Sequence, residues 1–211
     1  MIISFSGLDG SGKTTQADHA AGYLEEKGFP CGRRHAVKGT LAYFINHKII
    51  GKVSPDSKKG LEEGLRDKEN AEKRSFLSAV KRFFMLLDMA YFRLRYASYK
   101  GSKAKTLICD RYFYDENVQG EYLETANSFY KRLYKKMLIK PDLAFFFKTD
   151  PEKAYTRKTE YDFTYFSVKN GLYDKLAQEG VFTVIPENNV DGVWGKVAGS
   201  LDELYGFGGR S

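Results

Sequence analysis

Apolar residues follow two rhythms along this chain. Short unbroken runs have the length and the aromatic and β-branched content of buried strands: MIISF at the start, KTLICD ending at Asp110, DLAFFFK from Asp142 and VFTVI from Val181. Between them the period changes to that of a helix. Ala17, Ala20, Ala21 and Leu24 predict a helix that Gly28 closes. Phe129, Leu133 and Met137 predict another, ended by Lys140-Pro141, and Val193, Val197, Leu201 and Leu204 a third. Asp150-Pro151-Glu152 has the form of a helix start, with a capping carboxylate and proline in the first turn. The run from Phe76 to Tyr99 predicts a long helix apolar enough to lie in the core. FPCGRRHAV is a weaker strand signal because of Pro30 and Gly32, and TLAYFINHKII reads as a short helix.

Strands alternating with amphipathic helices predict an α/β three-layer sandwich with a central parallel sheet, its ligands at the carboxyl ends of the strands. One domain over residues 1–211 is expected, with a flexible glycine-rich tail at about 206–211. From Gly51 to Ser75 there are seven basic and six acidic residues, the composition of a solvated connection or helix face.

Charge and cysteine content narrow the setting only slightly. The formal net charge of +7 favours anionic partners without choosing among nucleotides, nucleic acids and acidic membranes. Cys31 and Cys109 are far apart in a chain too long to need a disulfide, which points to reduced thiols in the cytoplasm. No apolar run approaches the ~20 residues of a membrane span.

Chemistry enters with SGLDGSGKTTQ, directly after the first strand. Gly7, Gly12, Lys13 and Thr14 satisfy the pattern of a phosphate-binding loop in its required strand-to-helix setting. The backbone N–H groups of Asp9, Gly10, Ser11, Gly12 and Thr15 can wrap a phosphate chain. Lys13 can reach its outer oxygens, and the Thr14 hydroxyl can face magnesium. ICDRYFYD adds Asp110 at a strand end, where a magnesium ion needs a carboxylate, and Arg111, whose guanidinium suits a phosphate. AYTRKTEYD adds Arg157 and Lys158 at the end of the helix begun at Asp150, candidates for a lid over about 156–171 that closes on the transferred group.

The acceptor is approached through an absence. Between Glu26 and Asp56 there is no acidic residue, and the end of the second strand carries Arg33, Arg34, His35 and Lys38. A hydroxyl acceptor usually needs a general base, whereas a phosphate monoester is already mostly dianionic at pH 7. The pattern therefore leans toward a phosphate acceptor.

Taken together, FSGLDGSGKTTQ, ICDRYFYD and KPDLAFFFKTDPEKAYTRK resemble, in order, the P-loop, the Asp-Arg-Tyr motif and the Pro-Asp-Leu strand with lid helix of the thymidylate kinase family, from Met1 to about Tyr205. The resemblance implies a P-loop nucleoside triphosphate hydrolase fold and transfer of the ATP γ-phosphoryl group to a deoxynucleoside monophosphate, most simply dTMP, with magnesium as cofactor. It also implies that Asp9 faces the acceptor sugar and Arg111 the acceptor phosphate. Because the loop reads Gly10-Ser11-Gly12 and holds no arginine, it implies a catalytic arginine from the lid, Arg157, with Lys158 beside it. The chain departs from the family where HAVKGT replaces an Arg-Glu-Pro-Gly stretch, placing Lys38 there. Aligning Asp88 with the family aspartate puts Met89 in place of an arginine; a shifted register offers Phe92 and Arg93 instead.

Other classes fit less well. A regulatory GTPase needs Asn-Lys-x-Asp, and FKTD lacks the asparagine. A nucleoside or other small-molecule kinase is the main alternative. A nucleic-acid-binding protein is suggested only by the basic charge and fifteen tyrosines, most of which fall on helical faces where packing explains them. No nucleic acid or membrane partner is expected, and a homodimer stays open.

Overall fold

The computed structural model describes residues 1–36, 68–122, 128–157, 163–186 and 190–207. Among them, in chain order, are β1 (Ile2–Gly7), α1 (Lys13–Glu26), β2 (Cys31–Arg34), α2 (Lys68–Tyr96), β3 (Thr106–Asp110), α3 (Phe113–Tyr122), α4 (Ser128–Met137), β4 (Leu143–Lys148), α5 (Pro151–Arg157), α6 (Phe163–Gln178), β5 (Thr183–Pro186) and α7 (Val190–Tyr205). The expectation of a helix in TLAYFINHKII lies outside these residues, as do Lys38 and most of the charged segment from Gly51.

The strands form one parallel sheet in the order β2-β3-β1-β4-β5. Both faces of the central strands β1, β3 and β4 are covered, so the period-2 alternation along them sorts apolar side chains to two cores instead of to core and solvent, while the edge strands β2 and β5 are largely exposed. Ile3, Phe5, Ile108, Phe145 and Phe147 pack with Ala17, Ala20, Ala21 and Leu24 of α1 and Val197 and Leu201 of α7. The alternate residues Ile2, Leu107 and Cys109 pack against Met85, Met89 and Phe92 of α2. Phe146 lies with Ala154, Phe166 and Tyr173 of α5 and α6. This is the three-layer α/β sandwich the sequence pattern implies.

Several elements differ from the sequence expectation, each for a physical reason. Helix α2 begins at Lys68, inside the charged segment, and its apolar residues are too many for one buried face: Phe83 (58% exposed), Leu87, Tyr91 and Leu94 (88%) point outward. Helix α4 is rotated from its expected face. Phe129 is 73% exposed, while Tyr130, Tyr134, Met137 and Leu138 turn to the core, since tyrosine buries as much ring as phenylalanine. Phe207, within the expected tail, stacks on Tyr205 and lies against Phe29 and Tyr23, and 208–211 lie outside the described residues. Helix α3 is signalled by no apolar period in YFYDENVQ.

Candidate active site

The site is built where β1 and β3 end. Gly7, the last residue of β1, has φ of 147°, and a Cβ there would stand 2.8 Å from the Phe147 carbonyl oxygen and 3.0 Å from Ser11 Oγ. Only glycine lets the chain turn this close to β4. Gly10 and Gly12 follow, each at φ of 84°, so the loop curls with its backbone inward before α1 starts at Lys13. No side chain caps α1 and no carboxylate stands in its first turn, leaving its N-terminal N–H groups and positive dipole end available to an anion.

Lys13 is only 4% exposed, and its Nζ donates to the Leu8 carbonyl at 2.9 Å while lying 3.6 Å from Asp9. Burial, with the Arg111 charge added, pulls its pKa below the usual lysine value despite Asp9, Asp115 and Asp110 nearby. A cation is thus held under strain inside the loop.

Across the crevice, Asp110 ends β3. Its Oδ2 accepts the Thr14 hydroxyl at 2.8 Å, while its Oδ1 is buried and takes no hydrogen-bond partner among the described residues. A hard oxygen left over beside a hydroxyl suits a divalent cation such as magnesium, which takes one or two protein oxygens and fills the rest of its shell with water and phosphate. Arg111 follows with φ of 68°, the one positive φ outside glycine among the described residues. This conformation costs on the order of 1 kcal/mol or more, and it aims the guanidinium at Asp9, with which it forms a hydrogen-bonded ion pair. Burial opposes both charges, but each supports the other, so Asp9 stays below and Arg111 above its ordinary pKa.

Arg157, at the end of α5, donates from Nη1 to the Gly10 carbonyl at 3.2 Å and so lies over the loop. Lys158 falls outside the described residues, as do 159–162, and the remainder of the expected lid, 163–171, is the first half of α6. Gly7, Asp9, Gly10, Ser11, Gly12, Lys13, Thr14, Asp110, Arg111 and Arg157 are therefore brought to one crevice. Arg33 and Arg34 are exposed at the sheet edge, Arg33 paired with Asp18 of α1. Of the two registers for α2, Met89 and Phe92 share one buried cluster, with Phe92 5.2 Å from the Phe113 ring, and Arg93 is exposed.

Residues 5–170 match the family model described as thymidylate kinase. The chain belongs to the thymidylate kinase family. It is 24% identical over 190 residues to the thymidylate kinase of Ehrlichia chaffeensis, covering 82% of this chain and 81% of that one. It is 25% identical over 214 residues to a protein of Methanocaldococcus jannaschii named as a probable thymidylate kinase, covering 97% of each. The crystal structure of the Ehrlichia chaffeensis enzyme shares the fold, with a TM-score of 0.61 at 21% identity over 95% of this chain and 98% of that one. Among the described residues no helix is long and apolar enough to cross a membrane.

Within this family fold, the last residue of the ICDRYFYD stretch has a role that the stretch itself does not show. The buried Asp115 accepts from Ser6 Oγ (2.8 Å), the Tyr112 N–H (2.8 Å) and the Tyr173 hydroxyl (2.7 Å), with the Gly7 N–H at 3.5 Å. It fastens the end of β1, the turn after β3 and helix α6 to one carboxylate. The legible trace was local: Asp115 N–H bonds back to the Tyr112 carbonyl, a reciprocal cap three residues apart at the start of α3.

The buried ionisable groups set an alkaline signature. Lys13 and Lys169 have pKa values below the lysine norm, Lys169 at about 8, so the unfolded chain binds more protons above that pH and stability rises with pH from about 8. Tyr112, Tyr134 and Tyr173 are pushed above the ordinary 10 by burial, so their contribution is intact below pH 10 and is lost above it. Urea unfolding across pH 7–11 is expected to show a rise, then a fall beginning near pH 10. Tyr134→Phe, which removes a buried hydroxyl without a partner among the described residues, should add on the order of 1 kcal/mol and soften that fall.

Proposed function

We propose that this protein transfers the γ-phosphoryl group of ATP to a deoxynucleoside monophosphate, with dTMP as the leading acceptor, and that it does so as a cytoplasmic enzyme. The observation that carries the reading is the Asp9–Arg111 ion pair facing Lys13 across one crevice, a donor site and an anion-reading cation side by side. The names of the relatives point the same way.

In this reading the loop amides and Lys13 bind the ATP phosphates, and Arg111, released in part from Asp9, holds the acceptor phosphate while Asp9 turns to its sugar. Thr14 and Asp110 would hold a magnesium ion, which when bound offsets the charge on the β and γ oxygens. An acceptor phosphate oxygen forms a bond to the γ-phosphorus as the bond to the β,γ-bridging oxygen breaks, leaving ADP and a nucleoside diphosphate. Arg157, already over the loop, spreads the charge of the transferring group, with Lys158 beside it as part of a lid over 156–171. Positioning and electrostatics carry the rate, and no general base is required. The two free thiols, Cys31 and Cys109, suit a reducing compartment.

A coupled ADP-release assay across dTMP, dUMP, other monophosphates and thymidine tests this. ADP release should depend on a monophosphate; turnover with thymidine and with no monophosphate would transfer the assignment to a nucleoside kinase.

A further inference from the structure

One buried charge is not used by the reaction as described. Lys169, on α6, is 7% exposed, yet its residue type almost never lies so deep without a task. Its Nζ donates to Gln119 Oε1 of α3 at 2.8 Å and to the Tyr165 hydroxyl at 2.9 Å, and it stands 4.5 Å from the centre of the Tyr165 ring. Asp9, Arg111, Asp115 and Glu116 all lie within electrostatic reach. The group therefore belongs to the acceptor half of the crevice, reached from the opposite element.

An ammonium only donates, so it fixes the orientation of the Gln119 carboxamide: the oxygen must face Lys169. Gln119 is half-buried, and its amide nitrogen, with two N–H groups, is the end of the carboxamide turned away from Lys169. We propose that Lys169 is a positioning residue for the acceptor: it locks Gln119 so that its two amide N–H groups face the acceptor nucleotide, and it adds a second cation to Arg111 on that side. This rests on the reading of the crevice as a nucleotide-acceptor site.

The arrangement places a pH dependence in acceptor binding, where a purely structural lysine would show one only in stability. Burial brings the Lys169 pKa down to about 8 against the pull of Asp9, so its charge is lost within a usable assay range. The charged groups around it are Asp9 of the loop, Arg111, Asp115 and Glu116 after β3, and Lys81 of α2 paired to Glu116 at 3.6 Å, with Tyr165 and Tyr173 on α6 itself. Raising the pH through 8 should weaken acceptor binding while leaving ATP binding alone.

The test is steady-state kinetics on the whole protein from pH 6.5 to 9.5, with dTMP varied at saturating MgATP, for the wild type, Lys169→Met, Lys169→Arg and Gln119→Leu, each checked for folding by thermal melting. Lys169→Met should raise the acceptor KM about tenfold, the loss expected for a charge-assisted hydrogen bond, with the ATP KM within about twofold. It should also remove the rise in acceptor KM near pH 8, and Lys169→Arg should restore part of the affinity without that rise. Gln119→Leu should raise the acceptor KM similarly, and the double variant should be no worse than either single one. An unchanged acceptor KM in Lys169→Met, or in Gln119→Leu if the first does not fold, overturns the inference while the wild type still turns over. A wild type inactive with every monophosphate overturns the acceptor reading and this inference with it.

Discussion

Lys13→Ala is expected to reduce phosphoryl transfer by at least about a thousandfold, the scale of losing a preorganised charge at the transferring group. Its melting temperature without nucleotide should stay the same or rise. The second half of this expectation follows from electrostatics. Lys13 is buried, its charge is disfavoured by burial and by Arg111, and its pKa lies below the lysine norm, so the folded protein holds it at a cost. Asp9 does not lose its only partner with it, because Arg111 remains paired. Activity and stability should therefore move separately: a collapse of turnover with a folded protein of equal or higher stability, read from kcat and a thermal melt of the same sample. A variant that melts earlier and turns over normally would mean that Lys13 is a structural residue of the loop.

Asp115→Ala is expected to have the opposite character, costing about 3–5 kcal/mol of stability and taking activity with it. The Ser6 hydroxyl, the Tyr112 N–H and the Tyr173 hydroxyl would each lose an acceptor where water does not reach easily. Asp115→Asn should fall between, since one carbonyl oxygen remains but its amide group meets donors on every side. Urea denaturation reads the loss directly. The residual activity of Asp115→Asn indicates how far the loop end and the Arg111 turn depend on being fastened to one group.

These two residues also mark how far the sequence could be read. Lys13, Thr14, Asp110 and Arg111 lie in short contiguous patterns whose spacing is itself the chemistry, so the crevice could be anticipated without the fold. The role of Asp115, the last residue of ICDRYFYD, could not, because its partners Ser6 and Tyr173 come from β1 and α6 and only its bond to Tyr112 is local. The same holds for Lys169 and Gln119, which meet only because α6 packs on α3. The positive φ of Arg111 leaves no mark in the sequence either, since glycine would be the usual residue there. The three central strands β1, β3 and β4 were legible because both of their faces are covered, making each an apolar run, whereas the edge strand β2 is CGRR with its arginines exposed. The buried face of α4 is not legible from the spacing of Phe129, Leu133 and Met137, because tyrosines supply its core side and Tyr134 is its buried residue.

A phosphoryl group should pass from ATP to a nucleotide phosphate in this crevice, and phosphorus NMR of a mixture of ATP, magnesium, dTMP and the protein reads that transfer. The expected result is loss of the ATP γ signal together with growth of the coupled α and β signals of dTDP alongside those of ADP. Accumulation of inorganic phosphate with dTMP unconsumed, or an unchanged ATP spectrum, would contradict it.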